Sequence, residues 1–215
     1  MRKNWLYLLG CVALMFSSCR KETDLISKNT SNQVYFSSKI AGLPQTRVQG
    51  TQWSAHDAIG IFMFQNGVAL DETSIINKGF NQPYTTNGNG NFSPQNEQAS
   101  LEFPVGSKVS FVAYYPYQEQ GTLTPSLHIA NQENQALLDF MVARNTTGLT
   151  SGQGPVALSF DRQMTKVELK IKGSDLNGLR VHFMALPSIA SFNLSSGQWA
   201  QVNTNTDIPA RVSQN

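Results

Sequence analysis

The feature that most constrains this chain is the rhythm of its hydropathy. From Asn32 onward, apolar and polar residues alternate in short bursts that end at Gly, Pro or Asn. A period of two suits a strand with one buried face, whereas a helix needs apolar residues at i, i+3, i+4 and i+7. Val34 and Phe36 alternate with Tyr35 and Ser37. Val109, Phe111, Ala113 and Tyr115 form one face of a strand that Pro116 ends, and Val156, Leu158 and Phe160 form another. Val167, Leu169 and Ile171 alternate with Lys166, Glu168, Lys170 and Lys172, the cleanest half-exposed pattern in the chain. Leu179, Val181 and Phe183 continue the same rhythm. Ile59-Gly60-Ile61-Phe62-Met63-Phe64 is a continuous apolar run, expected of a strand covered on both faces. Phe192-Asn193-Leu194, Ser195-Ser196-Gly197 and Trp199 to Val202 predict a hairpin. Residues 132–143 suit either one short helix or a loop leading into a strand. Regularly spaced short strands of this kind predict an all-β sandwich. Ile59, Ile61, Phe111, Ala113, Phe160 and Val167 are its expected core.

Composition narrows the function classes. Only 14% of the 215 residues are charged, and 16 basic residues face 14 acidic ones. Arg2 and Lys3 lie ahead of an expected cleavage point, so the mature chain is neutral. A general nucleic-acid binder needs a basic surface to neutralise phosphates, and that class is excluded.

The first residues predict export. Arg2 and Lys3 precede a mostly apolar stretch over residues 5–16, too short to anchor a membrane-spanning helix of roughly 20 residues. Phe16-Ser17-Ser18-Cys19 then resembles a bacterial lipobox, with Phe16 departing from the usual aliphatic residue. Cleavage between Ser18 and Cys19, with lipid on the Cys19 thiol, is the expected processing. Several acyl chains hold a protein stably on a membrane where one is marginal. The other cysteine, Cys11, lies inside the apolar stretch, so no structural disulfide is expected in the mature chain. Polar residues after Cys19 predict a flexible tether.

Catalytic and metal-binding patterns are missing from the sequence. His56, His128 and His182 have no i, i+4 spacing and no neighbouring cysteine, whereas zinc sites use three or four ligands at recognisable spacings. There is no Gly-x-Ser-x-Gly elbow and no alternating acidic calcium loop. Glu102, Glu119, Glu133 and Glu168 each fit a strand edge or loop, and nothing marks a catalytic pair. Asn87-Gly88-Asn89-Gly90-Asn91 contains a Gly-x-Gly, but no helix pattern follows to present an N-terminus to phosphate, so it predicts a loop tip. We expect a non-enzymatic chain without cofactor or metal.

Colinear motifs then carry a family resemblance. Thr46-Arg47-Val48, Trp53 and Asp57-Ala58-Ile59-Gly60-Ile61, followed by Val109 to Tyr117 with its Ala113-Tyr114-Tyr115-Pro116-Tyr117, resemble the blocks of Bacteroidetes fimbrillin-like proteins. Asp139-Phe140-Met141-Val142-Ala143 and the stretch from Leu158 to Val167 are similar to two further blocks, although Asp161, Arg162 and Gln163 stand where a histidine is usual. The resemblance implies a transthyretin-like β-sandwich, normally two per subunit, on a lipidated precursor of the outer membrane and its fimbriae. It also implies partners: other fimbrial subunits joined by donor-strand exchange, and host or bacterial surface ligands. In polymerising members a protease cuts after an arginine near the first strand, removing that strand and opening a groove. Arg47 occupies that place, and without the resemblance it is a surface arginine in a loop.

The expected organisation is a signal peptide over 1–18, a lipidated tether over 19–32, an N-terminal sandwich over 33–155 and a second, incomplete β domain over 156–215. Those last 60 residues or so suffice for about four strands, half of a seven-stranded sandwich. Two functions fit: a fimbrial structural, tip or anchor subunit, or a monomeric glycan-binding surface lipoprotein using exposed aromatics such as Trp53, Tyr114, Tyr117 or Trp199.

Overall fold

The computed structural model describes residues 32–41, 52–201 and 204–212. Its strands are β1 (Phe36–Ile40), β2 (Ala55–Gln65), β3 (Gln82–Asn87), β4 (Asn91–Pro94), β5 (Val109–Tyr115), β6 (Ser126–His128), β7 (Met141–Leu149), β8 (Val156–Arg162), β9 (His182–Pro187), β10 (Ile189–Asn193), β11 (Gln198–Gln201) and β12 (Asn205–Pro209). The chain is all-β, as its alternation predicts. Residues 132–143 resolve into a 3-10 turn at Gln135–Leu138 that leads into β7, and the Gly-x-Gly segment is the tip between β3 and β4.

Seven strands close into a barrel in the order β1-β4-β3-β2-β5-β7-β8. Every neighbour pair is antiparallel except the closing one: β1 runs parallel to β8, from Phe36 opposite Val156 to Ile40 opposite Phe160. Inside lie Phe36 and Ile40 of β1, Ile59, Ile61 and Met63 of β2, and Tyr84 and Phe92 of β3 and β4. Val109, Phe111 and Ala113 of β5, Met141 and Ala143 of β7, and Val156, Leu158 and Phe160 of β8 complete the interior.

The alternate residues of β2, β5 and β7 point outward into a second apolar layer. Phe62, Phe64, Val112, Tyr114 and Val142 meet Leu70, Leu127, Phe140, Phe192 and Leu194 there. Burial on both faces is why residues 59–64 form an unbroken apolar run rather than an alternating one. Leu127 belongs to β6 and Phe192 to β10, which lie in a three-stranded sheet ordered β11-β10-β6. β9 and β12 pair separately.

β8, which begins at Val156, completes the barrel, while β6 pairs with β10 of the later part of the chain. The inward alternation of Val156, Leu158 and Phe160 supplies core that β1 covers. One expectation needs a correction. Residues 166–172 form no strand, and Val167, placed in the core by its pattern, is 60% exposed. Alternation buries a face only where a neighbouring strand supplies hydrogen bonds and cover, and none among the described residues pairs with this segment. The other five expected core residues are buried.

Candidate functional site

The site is built around β1. It lies between β4 and β8, and its main chain is tied on both sides. Val34 N–H donates to Leu101 O (2.8 Å), Ser38 N–H to Gly90 O (2.7 Å) and Ala41 N–H to Phe160 O (2.8 Å), while Val156 N–H donates to Tyr35 O (2.8 Å). Inward-facing Phe36 packs edge-on to Tyr84 and Phe111 at ring distances of 5.0 and 5.3 Å. The Tyr84 hydroxyl, fully buried, donates to Val34 O (3.2 Å) and accepts from Leu101 N–H (3.0 Å). Burial pushes its pKa up to about 12, against the smaller opposing effect of the Leu101 hydrogen bond. One phenol therefore joins β3 to the segment entering β1. Local pattern hides it, because Tyr84 stands in the short stretch Gln82–Asn87, where it is the one large apolar side chain.

Trp53 lies beside this slot. Its ring meets Phe92, Phe160 and Tyr115 edge-on at 5.0, 5.2 and 5.4 Å, joining β4, β8 and β5. Its indole Nε1 is buried with no hydrogen-bond partner among the described residues. Asp57 accepts from Ser54 N–H (2.7 Å) and from the Tyr115 hydroxyl (3.2 Å), closing the turn in which His56 has φ 71°. Burial first, and the Asp57 charge second, raise the Tyr115 pKa. Gly60 lies opposite Tyr114 in the β2–β5 register, and a Cβ on it would sit 2.3 Å from the Tyr114 ring. The Tyr114 hydroxyl bonds Asn81 Oδ1 (2.8 Å), fixing the ring over that glycine. The Trp, Asp, Gly and Tyr of the sequence motifs are thus structural fittings of the barrel.

Asp139 and Arg162 form a two-pronged ion pair, Nε to Oδ1 at 2.8 Å and Nη2 to Oδ2 at 3.1 Å. This pair ties the entry of β7 to the end of β8. Arg162 is one of the residues standing where the resemblance has a histidine.

Ser18, Cys19 and Arg47 lie outside the described residues. Of the aromatics considered for glycan stacking, Trp53 and Tyr114 are buried, Tyr117 is half-buried and Trp199 is 38% exposed. Trp199 packs against Phe192 at 5.0 Å and borders a cavity of about 190 Å³ with Leu127, Met164 and Ile189. A wider polar depression of about 500 Å³ lies by Asn32, Gln33, Lys78 and Glu102, beside the approach to β1. Among the described residues no group of three His, Cys, Asp or Glu side chains could hold a metal ion.

This geometry defines a class: an all-β barrel protein whose sheet is closed by the parallel pairing of its first strand, β1, with β8. The fimbrillin-like family profile matches residues 46–215, and the chain belongs to that family. It is 29% identical over 221 aligned residues to a proposed fimbrium subunit, Fim1C, of Bacteroides uniformis, spanning 96% of this chain and 70% of the relative. It is 27% identical over 191 residues to a proposed fimbrium tip subunit, also Fim1C, of Bacteroides ovatus, spanning 76% of this chain but only 34% of that relative. Crystal structures of two proposed cell adhesion proteins share the fold. The one from Bacteroides ovatus superposes with TM-score 0.64 at 23% identity over 86% of this chain and 75% of that one. The one from Bacteroides uniformis superposes with TM-score 0.62 at 24% identity over 84% and 70%.

Proposed function

We propose that this protein is a non-enzymatic, lipid-anchored fimbrial subunit of the cell surface that joins other subunits by strand exchange, with β1 as the exchanged element. The observation that carries the reading is the position of β1. It is held by β4 and β8, inserts Phe36 and Ile40 into the core with Val34 just ahead of it, and is followed by residues 42–51, which include Arg47. Burying one large apolar side chain is worth about 1.5–3 kcal/mol, so losing these three removes roughly 5–9 kcal/mol. A whole domain is stable by only about 5–15 kcal/mol. A chain cut after Arg47 would therefore be under strong pressure to accept a replacement strand. Vacated main-chain partners on β4 and β8 would give that strand affinity, and the pockets around Tyr84, Phe111 and Leu158 would give it register.

In this reading the seven-stranded barrel corresponds to the transthyretin-like unit, and the later strands belong to an incomplete second unit. Cys19 carries the lipid that holds the subunit on the outer membrane. The burial of Trp53 and Tyr114 removes half of the aromatic set on which a glycan-binding reading rested.

The test uses the whole chain with and without Cys19→Ala. A fatty-acid probe should label the unsubstituted chain alone. The Cys19→Ala protein is then treated with an arginine-specific protease, with Arg47→Ala as the control, and its size is followed by light scattering. Growth into polymers after cleavage at Arg47, and none in the control, is the expected result. A stable monomer after clean cleavage would overturn self-assembly through β1, and equal labelling would overturn the anchor.

A further inference from the structure

Residues 166–172, Lys-Val-Glu-Leu-Lys-Ile-Lys, combine the clearest alternation in the chain with the absence of any pairing among the described residues. None of their main-chain groups has a hydrogen bond there. Val167, Leu169 and Ile171 are 60%, 55% and 46% exposed. Glu168 and Lys170 approach only to 3.8 Å with both side chains largely in water, a contact that holds little. Free N–H and C=O groups beside a one-sided apolar row form a template for another strand.

The charges and the apolar row together select which strand fits. Residues directly opposite one another in an antiparallel pair share a face, so apolar must meet apolar and charge must meet charge. A second copy of the segment satisfies this in three registers. Centring on Glu168 sets Glu168 against Glu168 and Lys166 against Lys170. Centring on Lys170 also sets each Glu168 against the other copy's Lys172, but it sets Lys170 against itself in the middle of the pair and leaves Val167 opposite Gly173. Centring on Leu169 sets each Glu168 against the other copy's Lys170, each Val167 against Ile171, and Leu169 against Leu169. Lys166 and Lys172 then meet only at the ends of the pair. This last register uses all three apolar residues and makes two opposite-charge pairs.

We propose that residues 166–172 pair antiparallel with the same segment of a second copy of this chain, about a two-fold axis through Leu169. The interface is isologous, as in most closed dimers, and its small area makes it a weak, concentration-dependent contact. It is separate from β1 and does not depend on strand exchange there.

The test is sedimentation equilibrium of the whole chain carrying Cys11→Ser and Cys19→Ser, over a wide concentration range at low salt. Dimers should form. Glu168→Lys turns both attractive pairs into repulsive ones and should weaken dimerisation roughly tenfold. Adding Lys170→Glu to it exchanges the partners and should restore the affinity to within about twofold. Leu169→Lys should leave only monomer. Because these side chains are exposed, all variants should melt with the parent, which separates loss of pairing from loss of fold. A parent that stays monomeric, charge variants that dimerise equally, or a double variant no better than Glu168→Lys would each overturn the proposal.

Discussion

At the scale of single residues, the motif positions act through packing. Gly60 has no side chain because the Tyr114 ring occupies the space where a Cβ would go, 2.3 Å from the ring's nearest carbon. Tyr114 cannot easily yield, since its hydroxyl is bonded to Asn81 and its ring is tilted against Phe140 at 6.4 Å. Overpacking a filled core by even one methyl group costs about 1–3 kcal/mol. Gly60→Ala should therefore lower unfolding stability by about that amount in a denaturant titration. An unchanged midpoint would show that β2 and β5 can separate at this point. The pairing of an Ile-Gly dipeptide with a distant Ala-Tyr-Tyr-Pro-Tyr block is visible in the sequence as two motifs. That they form one contact is not, because the register between β2 and β5 is a property of the assembled sheet.

At the scale of elements, β1 is short but carries a large share of the core. Phe36 is almost fully buried between Tyr84 and Phe111, whereas neighbouring Ser37 is only partly covered. Phe36→Ala should cost about 3–5 kcal/mol, the usual range for a buried phenylalanine, while Ser37→Ala should stay within about 0.5 kcal/mol. Chemical denaturation of the two variants checks the contrast, and equal effects would mean that the strand does not face the core as described. The alternation of Val34 and Phe36 made this strand legible from sequence. Its parallel pairing with β8 was not legible, since a five-residue strand has no local signal for the direction of a neighbour some 120 residues away. The same limit applies to residues 166–172, whose pattern is stronger than that of β1 but which find no partner among the described residues.

At the scale of the whole molecule, the barrel and the later strands interlock. β8 closes the barrel from beyond residue 155, and β6 reaches from the earlier part of the chain into the later sheet. Two buried phenols hold this assembly at points far apart in the chain: Tyr84 inside the barrel and Tyr114 in the outer layer. Burial pushes both pKa values up to about 12 from the ordinary value near 10. A raised folded-state value means that the fold favours the neutral phenol. Its contribution is fully present below about pH 10, where both states are protonated, and is lost as the pH rises through about 12. Stability should thus fall steeply between pH 10 and 12, with tyrosinate absorbance of these residues appearing together with unfolding. If all six tyrosines ionised near pH 10 with the fold intact, the burial of these hydroxyls would be refuted.

The amino-acid sequence by itself determined the all-β class, the two-faced burial of β2 and the hairpin at Ser195-Ser196-Gly197. Each of these follows from local periodicity and turn chemistry, which act over a few residues. Asn193 shows the turn chemistry at work, its Oδ1 accepting from the Ser195 and Ser196 amides at 2.9 and 2.8 Å. Tertiary structure alone decided which strands are neighbours, that β1 closes the barrel against β8, and that Val167, Leu169 and Ile171 remain in water. A strand's alternation specifies that it has an apolar face, but hydrogen-bond partners and cover for that face come from distant segments.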